Sequence, residues 1–380
     1  MAYYTTESCC LETFTALINR SLAPDDVPLA DMIMQNVPVY DAARIGPALA
    51  DPEPRRALMS EWGRVFGALS GVVLIKAAIS DRDAIDTATG IFEDIIRAES
   101  QSNSGGDHFG ERGANDRIWN ALQKLCLRDP TTFARYFASP SIAAICEAWL
   151  GPGYQMTAQV NLVRSGGKAQ VAHRDYHLGF MDPAEAARFP AHAHDLSASL
   201  TLQGGIAHCA MPVESGPTKL LPFSQLYGPG YLACQLDEFR AAFETAHIQL
   251  PLAKGDAVFF NPAVFHAAGE NRTTDIRRLA NLLQISSPMG RATEAVDRTA
   301  MVRALYPVLR ELDLGGLERA AVIAASAEGY AFPTNLDTDP PIGGLASPSQ
   351  AVMMTRALDD GACMDAFDAV IAEQNARRQA

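Results

Sequence analysis

Gly151-Pro152-Gly153-Tyr154-Gln155-Met156-Thr157-Ala158-Gln159-Val160-Asn161-Leu162-Val163 marks the point where the texture of the chain changes. Gly-Pro-Gly stops a helical region. From Tyr154 to Ser287 short β-rich runs are divided by Gly, Pro and Asp turns, the pattern of an antiparallel sandwich or barrel. Strands are expected at Gln155 to Val163, Ala169 to Asp175, Ser197 to Leu202, Ile248 to Leu252, Ala257 to Phe260 and Leu279 to Ile285.

On the N-terminal side, Leu58, Trp62, Val65, Phe66 and Leu69 recur at helical spacing and lead into Gly71-Val72-Val73-Leu74-Ile75-Lys76, whose β-branched residues favour a strand. Ile85, Ile91, Phe92, Ile95 and Ile96 indicate a second helix, which ends in a polar, glycine-rich loop from Ser100 to Gly106. Between Ile118 and Leu150, Asp129-Pro130 and Ser139-Pro140 predict helix restarts, because proline suits a first helical turn and the residue before it avoids helical geometry. Beyond Ser287, Ala300 to Leu312 is amphipathic, Pro333 to Ser347 is a proline- and glycine-rich loop, and Ser347-Pro348-Ser349-Gln350 predicts a helix capped by Ser347. The expected division is a helical segment 1–55, a β domain with flanking helices 56–290, and a helical extension 291–380 that caps the pocket or forms a homodimer interface.

Composition narrows the partners. A net charge of −13 repels phosphate backbones and anionic headgroups, which points away from nucleic acid and membrane surfaces and towards a small molecule. Seven scattered cysteines without a C-x-x-C spacing argue against a disulfide framework or a thiolate zinc site and suggest reduced thiols in a cytoplasm. Residues 1–19 hold no Lys or Arg and no sustained apolar run, so no secretory signal is expected.

The chemistry centres on His173-Arg174-Asp175. In an extended segment alternate residues face the same way, so His173 and Asp175 project together and can take adjacent positions on one metal ion. His266 follows Lys254-Gly255-Asp256-Ala257-Val258-Phe259-Phe260-Asn261-Pro262, a turn and buried strand that would deliver a third ligand. Two imidazoles and a carboxylate leave positions open for O2 and a chelating co-substrate, as suits non-haem iron(II). A lone H-x-D also arises by chance among eight histidines. Eleven residues after His266, Arg277 precedes an apolar strand and is expected to clamp a carboxylate through two parallel hydrogen bonds, although Arg278 adjoins it and alternation lets only one of the two point inward.

These residues resemble the phytanoyl-CoA dioxygenase family of 2-oxoglutarate oxygenases. The resemblance runs through His173-Arg174-Asp175-Tyr176-His177, Glu214-Ser215-Gly216-Pro217-Thr218-Lys219-Leu220-Leu221-Pro222-Phe223-Ser224-Gln225, Lys254-Gly255-Asp256, His266, Gly269 to Thr273 and Arg277, over roughly residues 60–287. It implies a double-stranded β-helix, or jelly roll, with N- and C-terminal helical segments. It further implies Fe(II) held by His173, Asp175 and His266, 2-oxoglutarate as co-substrate, and O2-dependent hydroxylation of an aliphatic C–H bond with release of succinate and CO2. Related halogenases replace the carboxylate ligand with a small residue, whereas Asp175 is present here. Two departures stand out: Gln225 where the family often has histidine, and Ala268 where it often has a small hydroxyl residue.

Around this centre, Gln159 and Asn161 share a face from which their amides could reach the co-substrate carboxylates, or they are solvated. His177 either lines the substrate pocket or hydrogen-bonds a ligand, or is structural. His192 and His194 read as loop histidines, His108 as an exposed loop residue, and Trp62, Trp119 and Trp149 as core. The competing readings are a non-catalytic jelly-roll module that binds a metal or ligand, and a cupin-type metal-dependent isomerase or lyase.

Overall fold

The computed structural model describes residues 3–101 and 115–379. In chain order the strands among these are β1 (Met32–Met34), β2 (Val37–Asp41), β3 (Val72–Lys76), β4 (Asn115–Ile118), β5 (Gln155–Val163), β6 (Thr201–Ala207), β7 (Lys219–Leu221), β8 (Ile248–Gln249), β9 (Ala257–Phe260), β10 (Phe265–Ala267) and β11 (Arg278–Ser286). Eight form a large open sheet in the order β1-β2-β3-β9-β6-β11-β5-β4, antiparallel except at β2–β3, and three form a small antiparallel sheet in the order β10-β7-β8.

The large sheet has two chemically different faces, set by the two-residue period of its strands. Met156, Ala158, Val160 and Leu162 of β5, Leu202 and Ile206 of β6, Ala257 and Phe259 of β9, and Leu279, Leu283 and Ile285 of β11 bury one face in a core shared with the helices. The intervening residues, among them Gln159, Asn161, Gln203, Val258, Phe260, Arg278, Ala280, Leu282 and Gln284, face a cavity. Cross-strand register aligns them in rows: Asn161 with Ala280 and Ala207, Gln159 with Leu282 and Gly205, Gln284 with Gln203 and Phe260. Val72, Leu74, Val258 and Phe260 of the large sheet also pack with Leu220 of the small sheet, which holds the two sheets together beside the cavity.

Helices cover the other face. Pro52–Ala68 buries Leu58, Trp62, Val65 and Phe66 as its spacing predicts, and the restarts fall at Pro130–Phe137 and Pro140–Leu150. Asp129 accepts from Thr132 N at 2.9 Å and Ser139 Oγ from Ile142 N at 3.3 Å, caps that each contribute about 1 kcal/mol. Residues from Arg298–Glu311, Gly316–Ser326, Gln350–Asp359 and Met364–Arg378 join the same core, where Tyr306 stacks on Phe367 with ring centroids 3.9 Å apart.

Several expectations are corrected. Segment 1–55 contributes β1 and β2 to the large sheet as well as helices. The strand expected at Ser197 to Leu202 is displaced by the helix Ala191–Ser199 and begins at Thr201, while β8 is two residues long. The N-cap of the helix Gln350–Asp359 is Ser349, which accepts from Val352 N at 3.4 Å; Ser347 Oγ instead donates to Asp339 O at 2.8 Å. His108 and most of the Ser100 to Gly106 loop lie outside the described residues. No helix among the described residues is long and apolar enough to cross a membrane.

One buried network behind the sheet ties the helices to β11 and to the residue that follows β6. Asn281 Nδ2 donates to the Tyr136 hydroxyl (3.2 Å), which lies 2.7 Å from His208 Nε2, and His208 Nδ1 lies 2.8 Å from Thr89 Oγ1. Thr89 Oγ1 itself donates to Ile85 O at 2.7 Å, so Nδ1 carries the imidazole proton and Nε2 accepts from Tyr136. Burial, reinforced by nearby Lys254 and opposed by Asp86, pushes the His208 pKa down to about 3. Below a pH of about 6.5 the unfolded chain therefore takes up a proton that the fold refuses, and stability falls by up to about 1.4 kcal/mol per pH unit until the folded pKa is reached. Urea midpoints measured from pH 7 down to pH 4 are expected to decline in the wild type and to decline less steeply in His208→Gln, which is less stable at pH 7.

Candidate metal centre

The segment expected to be a strand from Ala169 to Asp175 is an irregular edge laid along β10. Its register is nonetheless fixed: Gln170 N donates to Ala268 O (2.9 Å), His173 and His266 exchange both backbone hydrogen bonds (3.0 and 3.1 Å), and Asp175 N donates to Pro262 O (3.1 Å). This pairing sets the His173 and His266 rings side by side with centroids 4.4 Å apart. The turn from β9 into β10 is held by Asn261, which donates to Phe66 O and accepts from Ala263 N.

Each imidazole is oriented in the same way. Nδ1 of His173 lies 2.8 Å from Val171 O and Nδ1 of His266 lies 2.8 Å from Val264 O. A carbonyl only accepts, so both Nδ1 atoms carry the proton and both Nε2 lone pairs are left facing Asp175 Oδ2, at 3.9 and 3.4 Å. The three side chains offer ligand atoms within 4.8 Å of one another, the only such group of His, Cys, Asp and Glu among the described residues. Burial, with His266 beside it, lowers the His173 pKa against the pull of Asp175 and keeps the ring neutral, as a ligand must be. Burial alone would raise the Asp175 pKa, but His266, His173 and a 2.8 Å hydrogen bond from Gln203 Nε2 outweigh it and hold the carboxyl down at about 2. Two free imidazole nitrogens and an anionic oxygen converging at the wall of a cavity fit a non-haem iron(II) ion, with one face of the metal left open.

The cavity measures about 680 Å³ and is lined by Gln159 and Asn161 among others. Of the two neighbouring arginines, it is Arg278 and not Arg277 that faces this cavity. Arg277 is half exposed and pairs with Glu93 Oε1 at 3.2 Å on the outer surface. Arg278, 6% exposed, lines the cavity, donates to Gly269 O at 3.4 Å, and has its pKa pushed down to about 10 by burial, against the opposing influence of Cys209. The reason is register: β11 pairs Arg278 with Val163, on the same face as Ala280, Leu282 and Gln284, which turns Arg277 outward.

His177 is not brought to the cavity. Its φ of +52° ends the extended segment two residues after Asp175, so the alternation that would align it with the triad is broken. His192 and His194 lie on a helix rather than a loop, and His194 is buried 3.2 Å from Ala186 O. Trp119, read as core, lines the cavity with the Arg117 guanidinium over its ring. Gln225, in the place of a histidine common in similar sequences, donates to Leu69 O at 2.7 Å and is structural. Ala268 lines the cavity, and Gln170, whose Oε1 accepts from Ala268 N at 3.3 Å, stands beside it.

The residues missed from sequence are Gln203, Gln284, Gln170 and Arg117, all on the cavity wall. Gln284 was within reach, since it alternates with the core residues Leu283 and Ile285; Gln203 was hidden by the misplaced start of its strand.

A model of the family described as phytanoyl-CoA dioxygenase (PhyH) matches residues 68–279. No curated protein matches the sequence. Among solved structures, the chain is similar to the non-haem alpha-ketoglutarate-dependent epimerase SnoN from nogalamycin biosynthesis, with 18% identity, 61% of this chain and 84% of that chain covered, and a TM-score of 0.45. It is also similar to the carbocyclase SnoK from the same biosynthesis, with 18% identity, 67% and 91% covered, and a TM-score of 0.44.

Proposed function

Since the chain belongs to the phytanoyl-CoA dioxygenase family, whose metal and co-substrate are iron(II) and 2-oxoglutarate, we propose that it hydroxylates an aliphatic C–H bond of a small molecule. The observation that carries this reading is the pair of Nε2 lone pairs aimed at one anionic Asp175 oxygen on a cavity wall. His173, Asp175 and His266 hold the metal. Iron, 2-oxoglutarate and O2 together supply the oxidising power, with succinate and CO2 as co-products.

The protein's own part is placement. Arg278 receives the distal carboxylate of the co-substrate, for which its buried, planar fork offers two parallel donors. Gln170 stands in for the hydroxyl that Ala268 lacks: its Oε1 is engaged with a backbone N–H, which leaves Nε2 as the donor. Asn161 and Gln159 line the wall between Arg278 and Gln203, and Asn161 Oδ1 is buried without a hydrogen-bond partner. Gln203 keeps Asp175 ionised and pointed at the histidines. The prime substrate lies towards the Gln284, Gln203 and Phe260 row of the cavity, next to the apolar Leu282 and Val258. With the 169–175 edge added to the small sheet, the two facing sheets are read as a double-stranded β-helix. The carboxylate ligand favours hydroxylation over halogenation, because it occupies the position a halide would need.

Two experiments bear on this. Under anaerobic conditions, Fe(II) and 2-oxoglutarate are expected to give the weak visible charge-transfer band of the chelate, and Asp175→Ala to lose both the band and succinate formation. A wild type that binds iron yet shows neither would leave the metal-binding module as the better account. Arg278→Ala should need roughly 10- to 100-fold more 2-oxoglutarate to reach the same band, the equivalent of losing a charged hydrogen-bonding pair, while Arg277→Ala titrates like the wild type. The reverse order would return the clamp to Arg277.

A further inference from the structure

Arg174 sits between two of the metal-site residues yet points away from them. It is 2% exposed, and among the described residues no acidic side chain lies within ion-pair distance of it. Burying a guanidinium without a carboxylate costs several kcal/mol, so its surroundings must be arranged for it. They are: Nη2 donates to Ser224 O at 2.6 Å and Tyr227 O at 3.0 Å, and the cation lies 5.2 Å from the ring centroids of both Tyr231 and Phe265. Gly230 completes the pocket, since a Cβ there would fall on the guanidinium itself.

Three of these partners, Ser224, Phe265 and Tyr231, lead back to the triad. Phe265 immediately precedes His266, and its backbone N–H donates to Ser224 Oγ at 2.8 Å, from the same residue whose carbonyl Arg174 holds. Tyr231 donates its hydroxyl to Asp175 O at 3.2 Å. One buried cation thus gathers the 224–231 loop, the backbone of Asp175 and the start of β10.

We infer that Arg174 is a positioning residue for the metal centre: by holding segment 224–231 through Ser224 O and Tyr227 O, with its cation against the rings of Tyr231 and Phe265, it fixes the approach of Asp175 to His266 and so sets the affinity of the site for metal. This rests on the proposal that the triad binds iron.

Cobalt(II), whose visible d–d absorption reports ligand geometry, tests it without turnover or 2-oxoglutarate. In anaerobic titrations Arg174→Met is expected to bind Co(II) roughly 10- to 100-fold more weakly than the wild type, with an altered d–d spectrum, while its far-UV circular dichroism is unchanged. Arg174→Lys, which keeps the charge and can reach one carbonyl, should recover part of the affinity. Tyr231→Phe, which removes a single hydroxyl, should show a smaller loss in the same direction. Wild-type affinity and spectrum in folded Arg174→Met overturn the inference; if that variant does not fold, wild-type behaviour in Tyr231→Phe does so. Normal cobalt binding that depends on Asp175, together with no iron–2-oxoglutarate band, would sink the oxygenase reading and leave this inference standing.

Discussion

The centre depends on two backbone hydrogen bonds, those exchanged between His173 and His266. They join segments more than ninety residues apart in the chain, and they do so at the ligands themselves. Because directly paired residues project to the same side, this one pairing points both imidazoles at the cavity, and the two-residue period then adds Asp175. A shift of one residue on either side would turn a histidine into the small sheet's apolar packing, among Phe14, Leu221 and Phe265. The remainder of the neighbourhood guards that register: Asn261 at the turn before β10, Ser224 Oγ on Phe265, and Asp175 N on Pro262.

Opposite the triad, the large sheet solves a different problem. It must be apolar enough on one face to carry the helices and polar enough on the other to receive a charged co-substrate. Strand alternation allows this without compromise, because β5 and β11 run side by side through nine paired positions and give every second residue to each face. Arg278 and Leu279 show how sharp the boundary is. One is a buried cation on the cavity wall; the next belongs to the core beneath the helices.

Much of this was legible in the sequence, and the failures share a cause. β5 and β9 were expected at their observed limits, and the helix restarts at Asp129 and Ser139 were read from proline chemistry, which acts locally. The spacing of His173, Asp175 and His266 marked the residues that the fold gathers. The choice between Arg277 and Arg278 needed the register of β11 against β5, which is a property of two strands and absent from either alone. The alignment of His177 with the triad is lost for a related reason: a left-handed backbone angle interrupts the period, and no residue type at that position announces it. The segment holding His173 pairs too irregularly to form a regular strand, so its type was misread although its partner in the chain was not. Trp119 was assigned to the core by its helical neighbours, but it follows a strand whose face turns to the cavity.

An amide can ordinarily flip, but three of the carboxamides on the cavity wall, Gln203, Gln159 and Gln170, are each prevented from doing so by a partner that can play only one part. Asp175 only accepts, so Gln203 must present Nε2 to it, and its Oε1 is left as a buried acceptor with no partner. Arg117 only donates, so Gln159 must turn Oε1 towards it at 3.1 Å and present Nε2 elsewhere. The backbone N–H of Ala268 fixes Gln170 in the same sense as Gln159. A buried acceptor left unpaired costs on the order of 1–3 kcal/mol, and an apolar residue at position 203 or 284 would avoid that cost. That glutamines stand there instead means that this face is not optimised for packing. Asp175, Arg117 and the Ala268 N–H preset the direction of three of these amides, so the wall offers a hydrogen-bonding pattern of fixed polarity as well as a shape.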